Sequence, residues 1–276
     1  MCVRSVFMDE KEDACIALGE IAVSVSMPFL PYIETSFQEV SQLLPCPQIQ
    51  IRKAAFRALG QLIISLHQVC KQEPSEVHVA VQGLEGASSS FVCHLLPALL
   101  GAAHDKDQEV CSNAVFGLGV LVEHSREAMF EHYPQILALL SNLISQEKNN
   151  RVIDNVCGAI ARMIMANPGR MPIEQVFPVL LRALPLREDF EEYKTIYRCI
   201  TFIYENDPSQ VLQKIPEIVR SSGSVLGCKN LSTEARNLLI TLLASLSARY
   251  PAEFQTAILA NRPEVGTSIR AAIGSA

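Results

Sequence analysis

The chain has 276 residues, of which 49% are hydrophobic, and a formal charge of −6. It is long and apolar enough to bury a sizeable core, which excludes global disorder. Residues 1–150 hold 9 basic and 17 acidic side chains (−8) and residues 151–276 hold 14 and 12 (+2), so there is no basic face of the kind a nucleic-acid binder needs.

The acidic first half would favour a basic partner and speed encounter with it. Ordinary solubility charge explains the same numbers. Met1 to Val6 is short and is followed by the charged run Asp9-Glu10-Lys11-Glu12-Asp13, so no secretory signal is expected. No stretch of eighteen uncharged apolar residues exists, so no membrane span is expected either.

In chain order, four segments align: Glu10 to Gly19, Ile51 to Gly60, Val110 to Gly119, and Val152 to Ala161. Each has the spacing of a buried helix face. In the fourth, Val152, Val156, Ala159, Ile160 and Met163 fall at i, i+4, i+7, i+8 and i+11. Ala14, Ala55, Ala114 and Ala159 recur near the middle, where small side chains let helices approach. A first helix is expected beside each of these second helices, marked by a proline in an apolar run: Pro31, Pro97, Pro134, Pro178 and Pro216. Each proline either bends its helix or sits in its first turn.

Short polar turns join the pairs at Pro45 to Gln48, His104 to Asp107, Glu147 to Asn150, Pro185 to Asp189, and Cys228 to Asn230. Residues 251–276 read as one or two closing helices. The segment ends lie 41, 59 and 42 residues apart. A period near 41 fits HEAT repeats and is too long for tetratricopeptide or ankyrin repeats. The expected fold is therefore all-α: a HEAT-repeat α-solenoid of about six helical hairpins, forming a single right-handed superhelix over 1–276. Two irregularities stand out. The start leaves no room for a full first outer helix, so the chain reads as a fragment. The excess of the 59-residue interval lies at 71–90, which reads as a flexible loop or a place where repeats are missing.

The nine cysteines form no CxxC pair and several lie inside apolar helical patterns, so they read as reduced, small core residues, with no metal or cofactor expected. No phosphate loop, HExxH or GxSxG motif occurs, and Gly117-Leu118-Gly119 lies inside a helix, so no enzymatic activity is expected.

Asp9 to Glu20 with Pro28 to Glu34, Asn113 to Leu121, Arg151 to Arg162, and Leu184 to Glu192 together resemble the C-terminal half of a karyopherin-β, the importin-β family of nuclear transport receptors. The resemblance covers nearly the whole chain. It implies nuclear import of basic protein cargo, such as histone H3/H4 or ribosomal proteins, by a protein of the cytoplasm and nucleus. It also implies binding of the GTPase Ran by the complete receptor, through an N-terminal arch this chain lacks. A HEAT scaffold or regulatory subunit of another complex is the alternative reading.

In a solenoid the second helices line the concave, usual binding face. A helical wheel at about 100° per residue puts Asp154, Cys157, Gly158, Ala161 and Met165 opposite the core in the fourth segment, with Asn155 at the edge. The same register gives Ser112, Val115, Phe116, Gly119 and Glu123, with Asn113 at the edge, in the third, and Glu12, Ile16 and Gly19, with Asp13 and Glu20 at the edge, in the first. Glu191 and Glu192 begin the next second helix. The expected cargo-binding residues are thus Asp154, Asn155, Asn113, Phe116, Glu123, Glu192 and Glu191. Carboxylates accept from Lys and Arg, asparagine amides pair with peptide backbone, and Gly119 and Gly158 would let a chain come close. Lys53 and Arg57 on the same face would repel a basic ligand.

Overall fold

The structure, a computed structural model, describes residues 6–72, 92–93 and 95–274. Among the described residues there is no strand, and no helix is long and apolar enough to cross a membrane. The chain divides into two compact units, Met1–Gln146 and Glu147–Ala276.

The first unit contains α1 (Val6–Val25), a 3-10 segment (Met27–Tyr32), α2 (Ile33–Ser41), α3 (Ile49–Gln72), α4 (95–102), α5 (Gln108–Ser125), α6 (Glu127–Phe130) and α7 (Tyr133–Gln146). The second contains α8 (Asn150–Ala166), a 3-10 turn (Pro168–Arg170), α9 (Ile173–Ala183), α10 (Glu192–Asn206), α11 (Pro208–Leu212), α12 (Ile215–Leu226), α13 (Thr233–Arg249), α14 (Pro251–Leu259) and α15 (Pro263–Gly274). The second helices α5, α8, α10 and α13 start at Gln108, Asn150, Glu192 and Thr233, in steps of 42, 42 and 41 residues. The step from Ile49 to Gln108 is 59. The all-α repeat expected from the sequence is therefore present with its period and its irregularity.

The helix starts have local causes. Asp107 caps α5 by accepting from the amides of Glu109 and Val110, Asn149 caps α8 through Val152, and Ser232 caps α13 through Ala235. The marker prolines resolve differently from one another. Pro216 lies in the first turn of α12, whereas Pro178 lies inside α9. Pro31 lies in the 3-10 segment, where its missing amide costs little. Most of the 71–90 segment expected to be irregular lies outside the described residues. The closing stretch forms α14 and α15, which pack on α12.

In the first unit α3 packs between α1 and α5. The α1–α3 approach is close because Gly19 faces Ala58, and a Cβ at Gly19 would lie 3.1 Å from the Ala58 Cα. Ala22, Ala55, Leu59, Leu62, Val110, Ala114, Leu118 and Leu121 are buried along these helices. Ser65 donates to the Ala22 carbonyl at 2.6 Å, so a polar side chain inside this interface is satisfied. In the second unit α10 packs between α8 and α13. Its core holds Tyr193 and Tyr197, stacked with centroids 6.0 Å apart, together with Phe177, Ile196, Ile200, Leu239 and Leu243. Each large side chain buried this way contributes about 1.5–3 kcal/mol.

Candidate functional site

In each unit, polar side chains of a second helix reach the turn before the following second helix. In the second unit Asp154 of α8 is 2% exposed. One carboxylate oxygen accepts from three successive backbone amides, Arg187 at 3.0 Å, Glu188 at 2.8 Å and Asp189 at 2.9 Å. Burial pushes the Asp154 carboxyl above its ordinary range, and these three amides pull it back part of the way. Asn155, also buried, donates to the Arg151 carbonyl and to Asp189, both at 3.1 Å. Glu192 is buried and grips Arg162 of α8 with both oxygens, at 2.9 and 3.0 Å, while Arg162 also reaches Thr195. Burial raises the Glu192 carboxyl against the lowering charge of Arg162. Cys157 beside them is buried, and burial with the charges of Asp154 and Glu192 pushes its thiol up to about 12.

These placements differ from the wheel. Asp154, Asn155 and Glu192 do not face an open groove; they join α8 to the turn before α10. Gly158 leaves room not for a peptide but for the Glu192 carboxylate, which occupies the space a Cβ would fill. The physical reason is that a second helix in mid-array is packed on more than one side, by α9 and by α10. A wheel sets the angle from the core face but not which side the next hairpin covers. Glu191 alone of this group is exposed.

In the first unit Asn113 is half-buried and donates to the Lys53 carbonyl at 3.4 Å. Phe116 is half-buried with its ring over Gly60 of α3. Glu123 is half-buried near the end of α5. Lys53 is neutralised rather than repulsive, lying 2.8 Å from Glu109 and 3.4 Å from Asp107. Burial alone would lower its pKa, but these two carboxylates hold it above the ordinary value. Arg52 pairs with Asp105 at 3.0 Å and donates to the Cys46 carbonyl at 2.9 Å. The junctions of the two units thus use opposite polarity: α3 offers cations to the next turn, and α8 offers a carboxylate to backbone amides.

Sequence reasoning missed two groups. The amides of Arg187, Glu188 and Asp189 carry no sequence signal beyond the polar turn they sit in. Tyr204, Arg249 and Tyr250 meet at the ends of α10 and α13, with the Arg249 guanidinium 5.7 and 5.6 Å from the two ring centres. They lie about 45 residues apart, and only the repeat period brings them together.

Helical hairpins in 41–42-residue steps define the HEAT-repeat α-solenoid class, and the HEAT repeat family matches residues 95–125. Within that class the chain is similar to importin-4. Importin-4 of Homo sapiens is 29% identical over 99% of this chain and 38% of its own length. The probable importin subunit beta-4 of Schizosaccharomyces pombe is 29% identical over 66% of this chain and 17% of its own length. The crystal structure of a Kap121p mutant matches 91% of this chain and 22% of its own with a TM-score of 0.62 at 17% identity, a likeness of fold. The chain spans well under half the length of these curated relatives. The human alignment runs over 415 positions, yet 99% of this chain is about 273 residues, so about 140 positions of the relative have no counterpart here.

Proposed function

We propose that this chain acts as part of a nuclear import receptor of the importin type, working between cytoplasm and nucleus and holding basic protein cargo such as histones or ribosomal proteins. The observation that carries this reading is the similarity to importin-4 along 99% of the chain. The charge of −8 over residues 1–150 supports a basic ligand. Within each unit the cargo contacts fall to side chains that keep some exposure, Glu191 in the second and Glu123, Phe116 and Asn113 in the first. Asp154, Asn155 and Glu192 then serve as the frame beneath it. Ran binding belongs to the complete receptor rather than to this segment.

We also place the roughly 140 unmatched positions at the long 59-residue step. The departure of this step from the 41–42-residue steps elsewhere supports this. Across this step Lys53 of α3 pairs directly with Glu109 of α5, so the helices on its two sides are neighbours in this chain.

A binding assay with fluorescent histone-tail peptides tests the reading. Binding should be measurable and should weaken as salt rises. Charge reversal of Glu191 and Glu123 to Lys should lower affinity several-fold at unchanged helicity. Unchanged affinity would remove those positions from the cargo surface, and absence of binding by the wild-type chain would favour a HEAT scaffold with another task.

A further inference from the structure

At the far ends of α10 and α13 the chain builds an aromatic corner. Tyr204 lies in the last turn of α10 and Tyr250 caps α13, with ring centres 6.5 Å apart and ring planes at 75°. Both tyrosines are half-buried, so each keeps some exposure to solvent. The Arg249 guanidinium lies 5.7 Å from one ring centre and 5.6 Å from the other, so a single planar cation uses both rings at once. Arg249 is exposed, and among the described residues it makes no ion pair. Two exposed carboxylates stand beside the corner in sequence: Glu205, directly after Tyr204, and Glu253, in the first turn of α14. Neither carboxylate has a hydrogen-bond or ion-pair partner among the described residues.

We propose that the Tyr204–Tyr250 corner is a docking site for an arginine side chain of a basic partner, and that Arg249 is its resident occupant, displaced when the partner binds. The chemistry of the resident group defines the ligand. A guanidinium is flat and weakly hydrated, and it stacks on aromatic faces where a lysine ammonium remains a hydrated point charge. Exchange of one guanidinium for another conserves the stacking, while Glu205 and Glu253 give the incoming chain a favourable field that Arg249 alone does not neutralise. In its choice of ligand class the proposal rests on the basic-cargo reading; the position and its arginine preference are additional to it.

The test uses the whole chain with fluorescent octa-arginine and octa-lysine, equal in charge, read by anisotropy, with far-UV circular dichroism melts to confirm folding. Arg249→Ala, which empties the corner, should bind octa-arginine at least about threefold more tightly than wild type. The same variant should leave octa-lysine nearly unchanged. Tyr204→Ala and Tyr250→Ala should each lose the preference for arginine over lysine, and Tyr204→Phe should keep it. If Arg249→Ala weakens octa-arginine or leaves it unchanged, the corner is a structural contact and the proposal is overturned. Retention of the arginine-over-lysine preference in both Tyr204→Ala and Tyr250→Ala would likewise overturn this site, and histone-tail binding that still depends on Glu191 and Glu123 would leave the cargo reading intact.

Discussion

Glu192 presents both carboxylate oxygens to Arg162 across the bare Cα of Gly158. A Cβ at Gly158 would strike the Glu192 carboxylate and lie 2.9 Å from the Arg162 guanidinium. Both side chains are buried, so neither can swing into water. Gly158→Ala should therefore cost about 2–4 kcal/mol, from overpacking and from partial loss of a buried pair. Gly101, at the end of α4, has nothing within 4 Å of its Cβ position. There the same substitution should be neutral or stabilise by up to about 1 kcal/mol, through helix propensity. Urea unfolding followed at 222 nm checks both. Equal effects at the two sites would show that the ion pair does not fill the space above Gly158.

Asp154 should behave as an anchor for the turn before α10. Asp154→Ala leaves the amides of Arg187, Glu188 and Asp189 without their acceptor, at a cost of about 1–3 kcal/mol for the group. Hydrogen exchange at those three amides should accelerate well beyond that of the amides within α10. Asp154→Asn keeps an acceptor oxygen and removes the charge. Because burial raises the folded pKa of Asp154 above its ordinary value of 3.8, the folded state binds the proton more tightly than the unfolded chain. The stability this confers is fully present below 3.8 and is lost as pH rises through the folded pKa. The wild type should thus lose stability relative to Asp154→Asn as pH rises from about 4, then run parallel to it. A difference with the opposite slope would show that the three amides outweigh burial.

The hairpins were legible because their signals are local. The turns at Glu147 to Asn150 and Pro185 to Asp189 combine charge with Asn or Pro, and Val152, Val156 and Ile160 give the helical period without help from distant residues. The face given to Asp154 and Asn155 was not legible. It depends on which flank of α8 the next turn covers, a fact about residues some 33–35 positions away. Phe116 shows the same limit, since its ring rests on Gly60, 56 residues earlier, in a contact created by the α3–α5 neighbourhood. Glu191 differs from Glu192 by one position, or about 100° around the helix, and that alone separates an exposed carboxylate from a buried one.

Asp107 should show the opposite pH dependence to Asp154. Desolvation alone would raise its carboxyl, but hydrogen bonds from the Val110 and Glu109 amides and the charge of Lys53 hold it below its ordinary value of 3.8. The stability it contributes is present above 3.8 and is lost as pH falls through the lowered folded value. Asp107→Ala removes an N-cap and should cost about 1 kcal/mol at neutral pH. That cost should shrink on acidification. Urea midpoints for wild type and variant at a series of pH values read it directly, and a cost independent of pH would assign the effect to helix propensity rather than to the ionised cap.

Two corners of the first unit bend through backbone that side chains disfavour. Ser26, after α1, has φ 50° and Arg126, after α5, has φ 33°, both with ψ near −100°. Such positions cost about 1–3 kcal/mol for a residue with a Cβ. Ser26 has compensation, since its single hydroxyl proton is shared between the Val23 carbonyl at 3.2 Å and Gln68 at 2.9 Å. Arg126 is exposed, and its backbone amide already closes α5 on the Val122 carbonyl. Glycine relieves the strain but adds backbone entropy to the unfolded chain. Arg126→Gly should therefore stabilise by roughly 0.5–1 kcal/mol. Ser26→Gly should be neutral or destabilising, because relief of strain is offset by the lost hydroxyl bonds. Parallel urea titrations of the two variants separate the contributions, and a loss of stability in Arg126→Gly would mean that the arginine side chain holds the corner.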